Sequence, residues 1–226
     1  MKEALVVFAK APLVGEVKTR LIGQFSPEEA TELYVCFLQD TFAMMEEVQA
    51  EREQVSLVLC YTPADEIEAF ESADLEGCLF LAQHGQDLGE RLHNCLTDLL
   101  AAGFHSIVIL GADTPTLPEE FIIEAFDRLA ASREVVIGPA TDGGYYLIGS
   151  NNSCPQLFVD IDWGTDAVLV QTQARADKSE TTLSLLPPWE DVDTPEDLGK
   201  LQRQIAAGLM APPRTSKYLK RLAAKH

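Results

Sequence analysis

The sequence lacks the cysteine and histidine patterns of a disulfide framework or a structural metal site. Its five cysteines are scattered, with no C-x-x-C pair and no metal-finger spacing. Its four histidines show no metal-ligand spacing, and no Ser-His-Asp or Cys-His pattern stands out. An odd, unpatterned set of thiols predicts reduced cysteines in a reducing compartment. We therefore expect a protein that needs no cross-link to fold and that does not use covalent catalysis.

Long apolar runs are also missing. The first run, Ala4–Ala9, is too short for the core of a signal peptide, and no run approaches the roughly 20 residues of a membrane span. These absences predict a cytoplasmic protein without a membrane-spanning segment.

Positive charge is scarce, with 17 Lys and Arg against 36 Asp and Glu and a net charge of −19. This balance argues against nucleic acid as a partner, because phosphate backbones require a basic surface. It does not exclude a nucleotide, since screening over roughly 8 Å makes local charge decisive.

Five basic residues and no acidic one lie between Arg214 and Lys225. We expect residues 211–226 to form a solvated basic tail after a single domain of residues 1–210.

Short β-rich runs alternate with stretches of helical period. Ala4–Ala9 and Ser106–Gly111 are continuously apolar, as in strands buried on both faces. This alternation predicts a mainly parallel sheet with helices on both faces and ligands beyond the carboxyl ends of its strands. The other predicted strands are Val55–Tyr61, Cys78–Ala82, Glu134–Gly138, Tyr145–Ile148 and 182–186, and the predicted helices are 27–48, 87–102, 118–131, 165–176 and 195–207.

The loop after the first predicted strand concentrates the scarce positive charge. It contains Lys10, Gly15, Lys18, Thr19 and Arg20. Backbone amides with Lys and Arg at a strand end suit a diphosphate or triphosphate. The spacing matches neither a Walker A loop nor a G-x-G-x-x-G dinucleotide loop. A solvated surface loop is an equally good interpretation of the spacing alone.

Acidic residues follow the later strands. Asp113 comes directly after the buried run Ser106–Gly111, where a carboxylate can hold a hard cation against phosphate oxygens. Asp in a turn before Pro is also ordinary turn chemistry. Asp142 precedes Gly143 and Gly144, which suits either a ligand-binding loop or a hairpin turn.

The last acidic loop contains a residue without an obvious structural role. Thr194 and Asp197 form a capping box for the following helix, which leaves Asp193 unexplained. We interpret Asp193 as a second metal ligand. Asp160-Ile-Asp162 has the D-x-D spacing of many glycosyltransferases, but no convincing buried strand precedes it, so we do not interpret it as a metal site.

Taken together, these loops resemble a bacterial family of uncharacterised GT-A-type transferases, a domain of unknown function that carries a glycosyltransferase label. The resemblance covers about residues 4–200 and rests on FAKAPLVGEVKTRL, GQDLGERL, LGADTPTLP, GPATDGGYYLIG, WGT and DVDTPEDL. More distantly, the chain resembles molybdopterin and phospholactate guanylyltransferases, whose first-loop cations and final Asp are similar to Lys18, Arg20 and Asp193. One departure is Gly164, which stands where a serine is expected before Thr165.

The resemblance implies a three-layer α/β/α sandwich of the nucleotide-diphospho-sugar transferase type, which is GT-A-like. It implies Mg²⁺ or Mn²⁺ on Asp113 and Asp193, with Asp113, Asp142 and Lys18 as catalytic residues. The nucleotide-binding residues expected are Lys10, Gly15, Lys18, Thr19, Arg20, Gln83 and Arg91. The substrate-binding residues expected are Asp87, Asp142, Gly143, Gly144 and Tyr145.

Three functions are compatible with these residues. The family label favours glycosyl transfer from a nucleotide-diphospho-sugar to a small-molecule acceptor. The first-loop pair Lys18 and Arg20 favours nucleotidyl transfer from a nucleoside triphosphate with release of pyrophosphate. A non-catalytic nucleotide-binding protein is a third possibility, which the full set of cations and carboxylates weighs against.

Overall fold

The chain forms an α/β fold around one seven-stranded sheet in a computed structural model, which describes residues 1–73, 75, 77–132 and 134–224. The strands are β1 (Glu3–Lys10), β2 (Val55–Thr62), β3 (Leu79–Ala82), β4 (Ser106–Gly111), β5 (Val135–Pro139), β6 (Tyr145–Ser150) and β7 (Leu183–Leu185). Their order in the sheet is β3-β2-β1-β4-β6-β5-β7. Only β6 runs antiparallel to its neighbours among these strands. The predicted mainly parallel sheet is confirmed.

Helices cover both faces of the sheet because neighbouring residues of each strand point to opposite sides. Leu5 and Val7 of β1 contribute to a core on one face, whereas Ala4 and Val6 contribute to a core on the other. All four side chains are fully buried, which explains why this strand is apolar without alternation. The helices are α1 (Pro27–Glu51), α2 (Leu88–Ala101), α3 (Glu119–Ala131), α4 (Val168–Lys178), α5 (Pro195–Ala206) and α6 (Pro213–Ala223). None of the described helices is long and apolar enough to cross a membrane.

The C-terminal segment differs from the expected solvated tail. Residues Pro213–Ala223 form α6, which packs along α1 and buries Tyr218, Leu219 and Leu222. The carboxylate of Asp40 accepts hydrogen bonds from the backbone N–H groups of Arg214 at 2.9 Å and Thr215 at 2.8 Å. The expectation of a solvated tail was wrong because Tyr218, Leu219 and Leu222 form an apolar face that is buried against α1. Lys225 and His226 lie outside the described residues.

The helix predicted from residue 165 begins later, at Val168. Gly164 has a positive φ of 81°, and the Thr165 hydroxyl donates to the backbone oxygen of Asp162 at 2.7 Å. These local interactions form a turn, so the chain enters the helix one turn after the predicted start.

The last acidic loop crosses the carboxyl edge of the sheet. Leu186 N–H donates to Ile137 O at 2.8 Å, and Trp189 N–H donates to Pro139 O at 3.0 Å. Val192 N–H then donates to the backbone oxygen of Asp113 at 2.9 Å. These bonds carry residues 186–193 from the end of β5 to the end of β4, which brings Asp193 beside Asp113.

Candidate active site at the carboxyl edge of the sheet

A lysine lies between the two carboxylates that the sequence singles out. Lys18 Nζ forms an ion pair with Asp113 Oδ1, and it donates to Asp193 Oδ1 at 2.8 Å. It also donates to the backbone oxygen of Val192 at 2.7 Å. Two like charges repel unless a positive charge lies between them, and here the positive charge belongs to the protein. Asp113 and Asp193, which the sequence predicts to hold one metal ion together, lie on either side of the ammonium group of Lys18.

The burial of this triad is uneven. The Lys18 side chain is only 3% exposed, whereas the side chains of Asp113 and Asp193 are 41% and 37% exposed. They border a cleft of about 190 Å³ that Phe8 and Tyr34 also line. The carboxylates therefore remain accessible from solvent while the ammonium group does not.

The protonation of Lys18 depends on its two partners. Burial alone would lower the pKa of Lys18, but Asp113 and Asp193 outweigh this effect, and the pKa is raised. Lys18 is therefore charged at neutral pH. Its backbone has a left-handed φ of 47°, an uncommon conformation for a residue with a side chain. The 3-10 turn Thr19–Leu21 follows directly after Lys18.

The sequence interpretation did not include Asp191 among the site residues. Burial raises the pKa of Asp191 to about 6, and the nearby carboxylates of Asp142 and Asp193 add to this effect. Val192 is buried, while Asp191 and Asp193 on either side of it are partly exposed. That alternation was visible in the sequence and could have placed both acids on the same side of the segment.

The other first-loop residues are more exposed than Lys18. Lys10 Nζ donates to the backbone oxygen of Glu16 at 3.0 Å and lies 3.7 Å from its carboxylate. Gly15 has a φ of 82° in an open turn, and Thr19 is exposed. Arg20 is exposed and forms no ion pair with any residue in the described part of the chain. Lys18 is thus held by two carboxylates, Lys10 has one distant and exposed carboxylate as its partner, and Arg20 has no carboxylate partner in the described part of the chain.

Three expected binding residues have structural roles near the end of β3. The Gln83 amide donates to the backbone oxygen of Cys60 at 2.8 Å, which ties the loop to β2. Asp87 caps α2 by accepting from Glu90 N–H at 2.8 Å. Arg91 Nε donates to Gly85 O at 3.2 Å. Ligand contacts of Gln83, Asp87 and Arg91 stay a prediction.

The Asp142-Gly143-Gly144 loop is a tight turn. Asp142 accepts from Gly144 N–H at 2.9 Å, and its side chain is otherwise exposed. A Cβ on Gly143 would lie 2.2 Å from the backbone oxygen of Asp166. Close approach to the chain's own backbone, at a φ of 95°, therefore explains Gly143 without a ligand.

Tyr145 turns away from the carboxylates. Its ring packs edge-on against Trp163, with ring centroids 6.2 Å apart. Its hydroxyl is buried, and the pKa of Tyr145 is raised by this burial. It lines a small apolar cavity of about 100 Å³ with Phe8 and Leu92. The hydroxyl of Tyr145 is therefore not placed to contact a substrate in the carboxylate cleft.

The Asp160-Ile161-Asp162 sequence has local partners. Asp160 pairs with Arg175 at 2.6 Å, and Asp162 accepts from the Gln171 amide at 2.7 Å. Both carboxylates stabilise the region before α4. The D-x-D spacing is therefore explained by folding, as the absence of a preceding strand predicted.

Four of the six stretches that carry the family resemblance lie within the match to a known family model, whereas FAKAPLVGEVKTRL and DVDTPEDL lie outside it. Residues 44–165 match the model of the uncharacterised proteins conserved in bacteria, DUF2064. The chain belongs to this family. None of the curated proteins matches it in sequence.

Solved structures place the DUF2064 chain among proteins of the same fold. A provisionally named nucleotide-diphospho-sugar transferase from Desulfovibrio desulfuricans G20 is 34% identical, with a TM-score of 0.85, over 99% of this chain and 96% of that one. The CMP:2-keto-3-deoxy-manno-octonic acid synthetase complexed with CTP is 11% identical, with a TM-score of 0.57, over 92% and 100%. Rv0371c from Mycobacterium tuberculosis H37Rv in complex with manganese is 16% identical, with a TM-score of 0.51, over 89% and 98%. The last two show the fold alone.

Proposed function

We propose that this protein is a divalent-metal-dependent transferase that uses a nucleotide-diphospho-sugar as donor. The observation that carries the proposal is the pair Asp113 and Asp193, which already share one cation, Lys18 Nζ, at the rim of an open cleft. The name of the relative that is 34% identical supports a nucleotide-activated donor.

The two carboxylates fit Mg²⁺ or Mn²⁺. Because both contact the same atom of Lys18, their oxygens are close enough to share a metal ion. No group of three or more His, Cys, Asp or Glu side chains is close enough to hold a metal in the described ranges. Two carboxylates with substrate phosphates and waters are a common arrangement for Mg²⁺. When bound, such an ion neutralises charge on the diphosphate leaving group.

The cations of this chain would act on the same phosphates. The ammonium group of Lys18 is charged and buried, and it is in direct contact with the carboxylate of Asp113. Once another cation occupies Asp113 and Asp193, the ammonium group can donate to phosphate oxygens instead. Arg20 can approach from the exposed side of the loop. This is electrostatic stabilisation by positioned charges, with no covalent intermediate on the protein.

Nucleotidyl transfer is the second candidate. It is favoured by the first-loop pair Lys18 and Arg20, since a nucleoside triphosphate carries more charge than a nucleotide sugar. Lys10 is exposed and only loosely paired with Glu16, at 3.7 Å, so it can also turn towards a ligand. Both reactions would use Asp113, Asp193 and Lys18 in the same roles.

Product analysis distinguishes the two reactions. The protein is incubated with Mn²⁺ and either a set of nucleotide sugars or the four nucleoside triphosphates, together with candidate acceptors. Transfer of a sugar releases a nucleoside diphosphate, whereas nucleotidyl transfer releases pyrophosphate. We expect nucleoside diphosphate release, with pyrophosphate release as the result that favours the second candidate.

Thermal unfolding tests the metal requirement separately from the identity of the acceptor. We expect nucleoside diphosphates to stabilise the protein in Mn²⁺ and not in EDTA, because the cleft carries several carboxylates. At a ligand concentration of about 100 times the dissociation constant, the gain is about 2.7 kcal/mol. Equal stabilisation in EDTA would contradict a metal-bridged diphosphate.

A further inference from the structure

A second cavity, of about 480 Å³, lies between α1 and α6. The short 3-10 segment Ile67–Ala73 and the start of the first loop complete its wall through Ser72 and Pro12. It shares no lining residue with the carboxylate cleft. Tyr34 of α1 lines the cleft, whereas Val35 and Cys36 line this cavity. The two sites are therefore separated by α1.

The charge of this cavity is opposite to that of the whole protein. Three cations line it, Arg214, Lys217 and Arg221, with Glu32 as the one lining carboxylate in the described part of the chain. The protein as a whole carries −19. The lining of this cavity is thus locally positive on an acidic protein.

The cations of this cavity are incompletely neutralised. Arg221 pairs with Glu32 at 2.7 Å, but Arg214 is 3.9 Å from Asp40, whose oxygens already accept from two backbone N–H groups. Lys217 is exposed and forms no ion pair with any residue that the structure describes. An anion entering here would gain charge-assisted hydrogen bonds without displacing a strong internal ion pair from Lys217 or Arg214.

The inner wall of the cavity is mostly apolar. Val35, Cys36 and Pro12 line it beside the ring of Tyr218. The guanidinium group of Arg221 lies 4.9 Å from the centroid of that ring, which fixes both side chains. Tyr218 is held from the other end, since its hydroxyl donates to the backbone oxygen of Glu29 at 3.0 Å. The wall is therefore formed before a ligand arrives.

We infer that this cavity binds a small organic anion that combines a phosphate-like head with an apolar body. The three cations suit the head, and the wall around Tyr218 suits the body. An anionic membrane fits less well, because the cations line a concave surface. At a flat bilayer these few cations would also act against the repulsion between anionic lipids and a strongly acidic protein. The inference does not depend on the transferase activity.

Phenyl phosphate is a suitable probe, because it joins a dianionic head to an apolar ring. Binding is measured by calorimetry in EDTA, which keeps phosphate away from the acidic cleft. Lys217→Glu is compared with Lys220→Glu, an equal charge change on the same helix at an exposed residue that does not line the cavity. We expect Lys217→Glu to weaken binding about tenfold or more and Lys220→Glu to weaken it less than about threefold.

Several outcomes would overturn the inference. One is that millimolar phenyl phosphate gives no heat of binding. Another is that Lys217→Glu and Lys220→Glu weaken the binding of phenyl phosphate equally, which indicates unspecific electrostatic attraction. A third is that inorganic phosphate binds as tightly as phenyl phosphate, since the apolar wall would then contribute nothing. A fourth is binding of phosphatidylserine vesicles without binding of phenyl phosphate, which would indicate a membrane surface. Arg214→Gln, which also lines the cavity, is the second variant if Lys217→Glu lowers the unfolding temperature.

Discussion

Strand β1 has a cation between two carboxylates near each of its ends. At the amino end, Arg52 pairs with Glu3 at 3.0 Å and with Asp127 at 2.6 Å. At the carboxyl end, Lys18 pairs with Asp113 and Asp193. Both triads join one cation to two carboxylates, but their burial differs. At the amino end the carboxylate of Glu3 is buried and that of Asp127 is exposed, whereas at the carboxyl end the cation is the buried group.

The difference in burial separates a structural triad from a candidate site. Glu3 is only 7% exposed, and it receives two hydrogen bonds from the planar guanidinium group of Arg52. At the other end the cation is buried, and Asp113 and Asp193 are 41% and 37% exposed. A buried acid with a bidentate partner has little capacity for a further ligand. Exposed acids around a buried cation can accept a second cation from solvent.

The largest expected effect comes from the carboxylates at the open end. Asp113→Asn and Asp193→Asn should each lower transferase activity at least about a hundredfold, because each removes a charge that holds the metal. Steady-state release of nucleoside diphosphate measures this loss. Glu3→Gln is the matched control at the other end of β1, and its activity should stay within about threefold of the wild type. Similar losses in all three variants would remove the distinction between the triads.

The next effect concerns stability at the amino end. Arg52→Met should lower the free energy of unfolding by about 2–4 kcal/mol, because it leaves the buried carboxylate of Glu3 without its charged partner. Urea unfolding measures the change. The same variant should bind Mn²⁺ as the wild type does. If Arg52→Met weakens Mn²⁺ binding and leaves the free energy of unfolding unchanged, the structural role given to the Arg52 triad is wrong.

Lys18→Met tests the carboxyl end in the same way. Without metal, Asp113 and Asp193 then repel, and the free energy of unfolding should fall by about 1–3 kcal/mol, less than for a fully buried pair because both acids are partly exposed. Mn²⁺ should stabilise this variant more than the wild type, since no ammonium group competes for the acids. Thermal unfolding with and without Mn²⁺ measures both effects.

The direction of the pKa shift of Lys18 determines the pH range over which Lys18 stabilises the folded protein. Because the pKa of Lys18 is raised in the folded protein, its stabilisation is complete below the unfolded value of about 10.4. It should be lost only as the pH rises through the higher folded value. A difference between wild type and Lys18→Met that disappears between pH 7 and 9 would contradict the charged lysine.

The smallest expected effect belongs to Asp191. Its pKa of about 6 exceeds the unfolded value of about 3.9, so the folded protein binds more protons than the unfolded chain between those values. Stability therefore falls as the pH rises through this window. Asp191→Asn should remove the fall and gain at most about 1 kcal/mol at pH 7.5, after allowance for solvent screening. At pH 4 the variant and the wild type should be equally stable in urea, both measured in EDTA.

Local signals in the sequence predicted most of the fold. The run Ser106–Gly111 is a strand with the predicted bounds, because six consecutive apolar or small residues suit a strand covered on both faces. The predicted capping box of Thr194 and Asp197 is formed, since it depends on residues three positions apart. The C-terminal helix was missed because its stability comes from packing on α1.

The sequence predicted the two acidic residues of the candidate site, but it did not predict that Lys18 lies between them. Asp113 stood out because it follows a buried strand, and Asp193 stood out because the capping box of Thr194 and Asp197 leaves it without a structural role. The insertion of Lys18 between them depends on a contact across 175 positions, which no local pattern reports. The substrate role of Tyr145 came from the family resemblance alone, and the packing of its ring against Trp163 depends on a tertiary contact that the sequence does not report.

Anomalous diffraction from crystals grown with Mn²⁺ and a nucleoside diphosphate tests the central claim most directly. The account predicts one manganese peak within roughly 2.0–2.6 Å of oxygens of both Asp113 and Asp193, with Lys18 Nζ moved from the carboxylates towards the phosphates. A manganese peak on neither aspartate, with Lys18 still held between them beside the bound nucleotide, would contradict it.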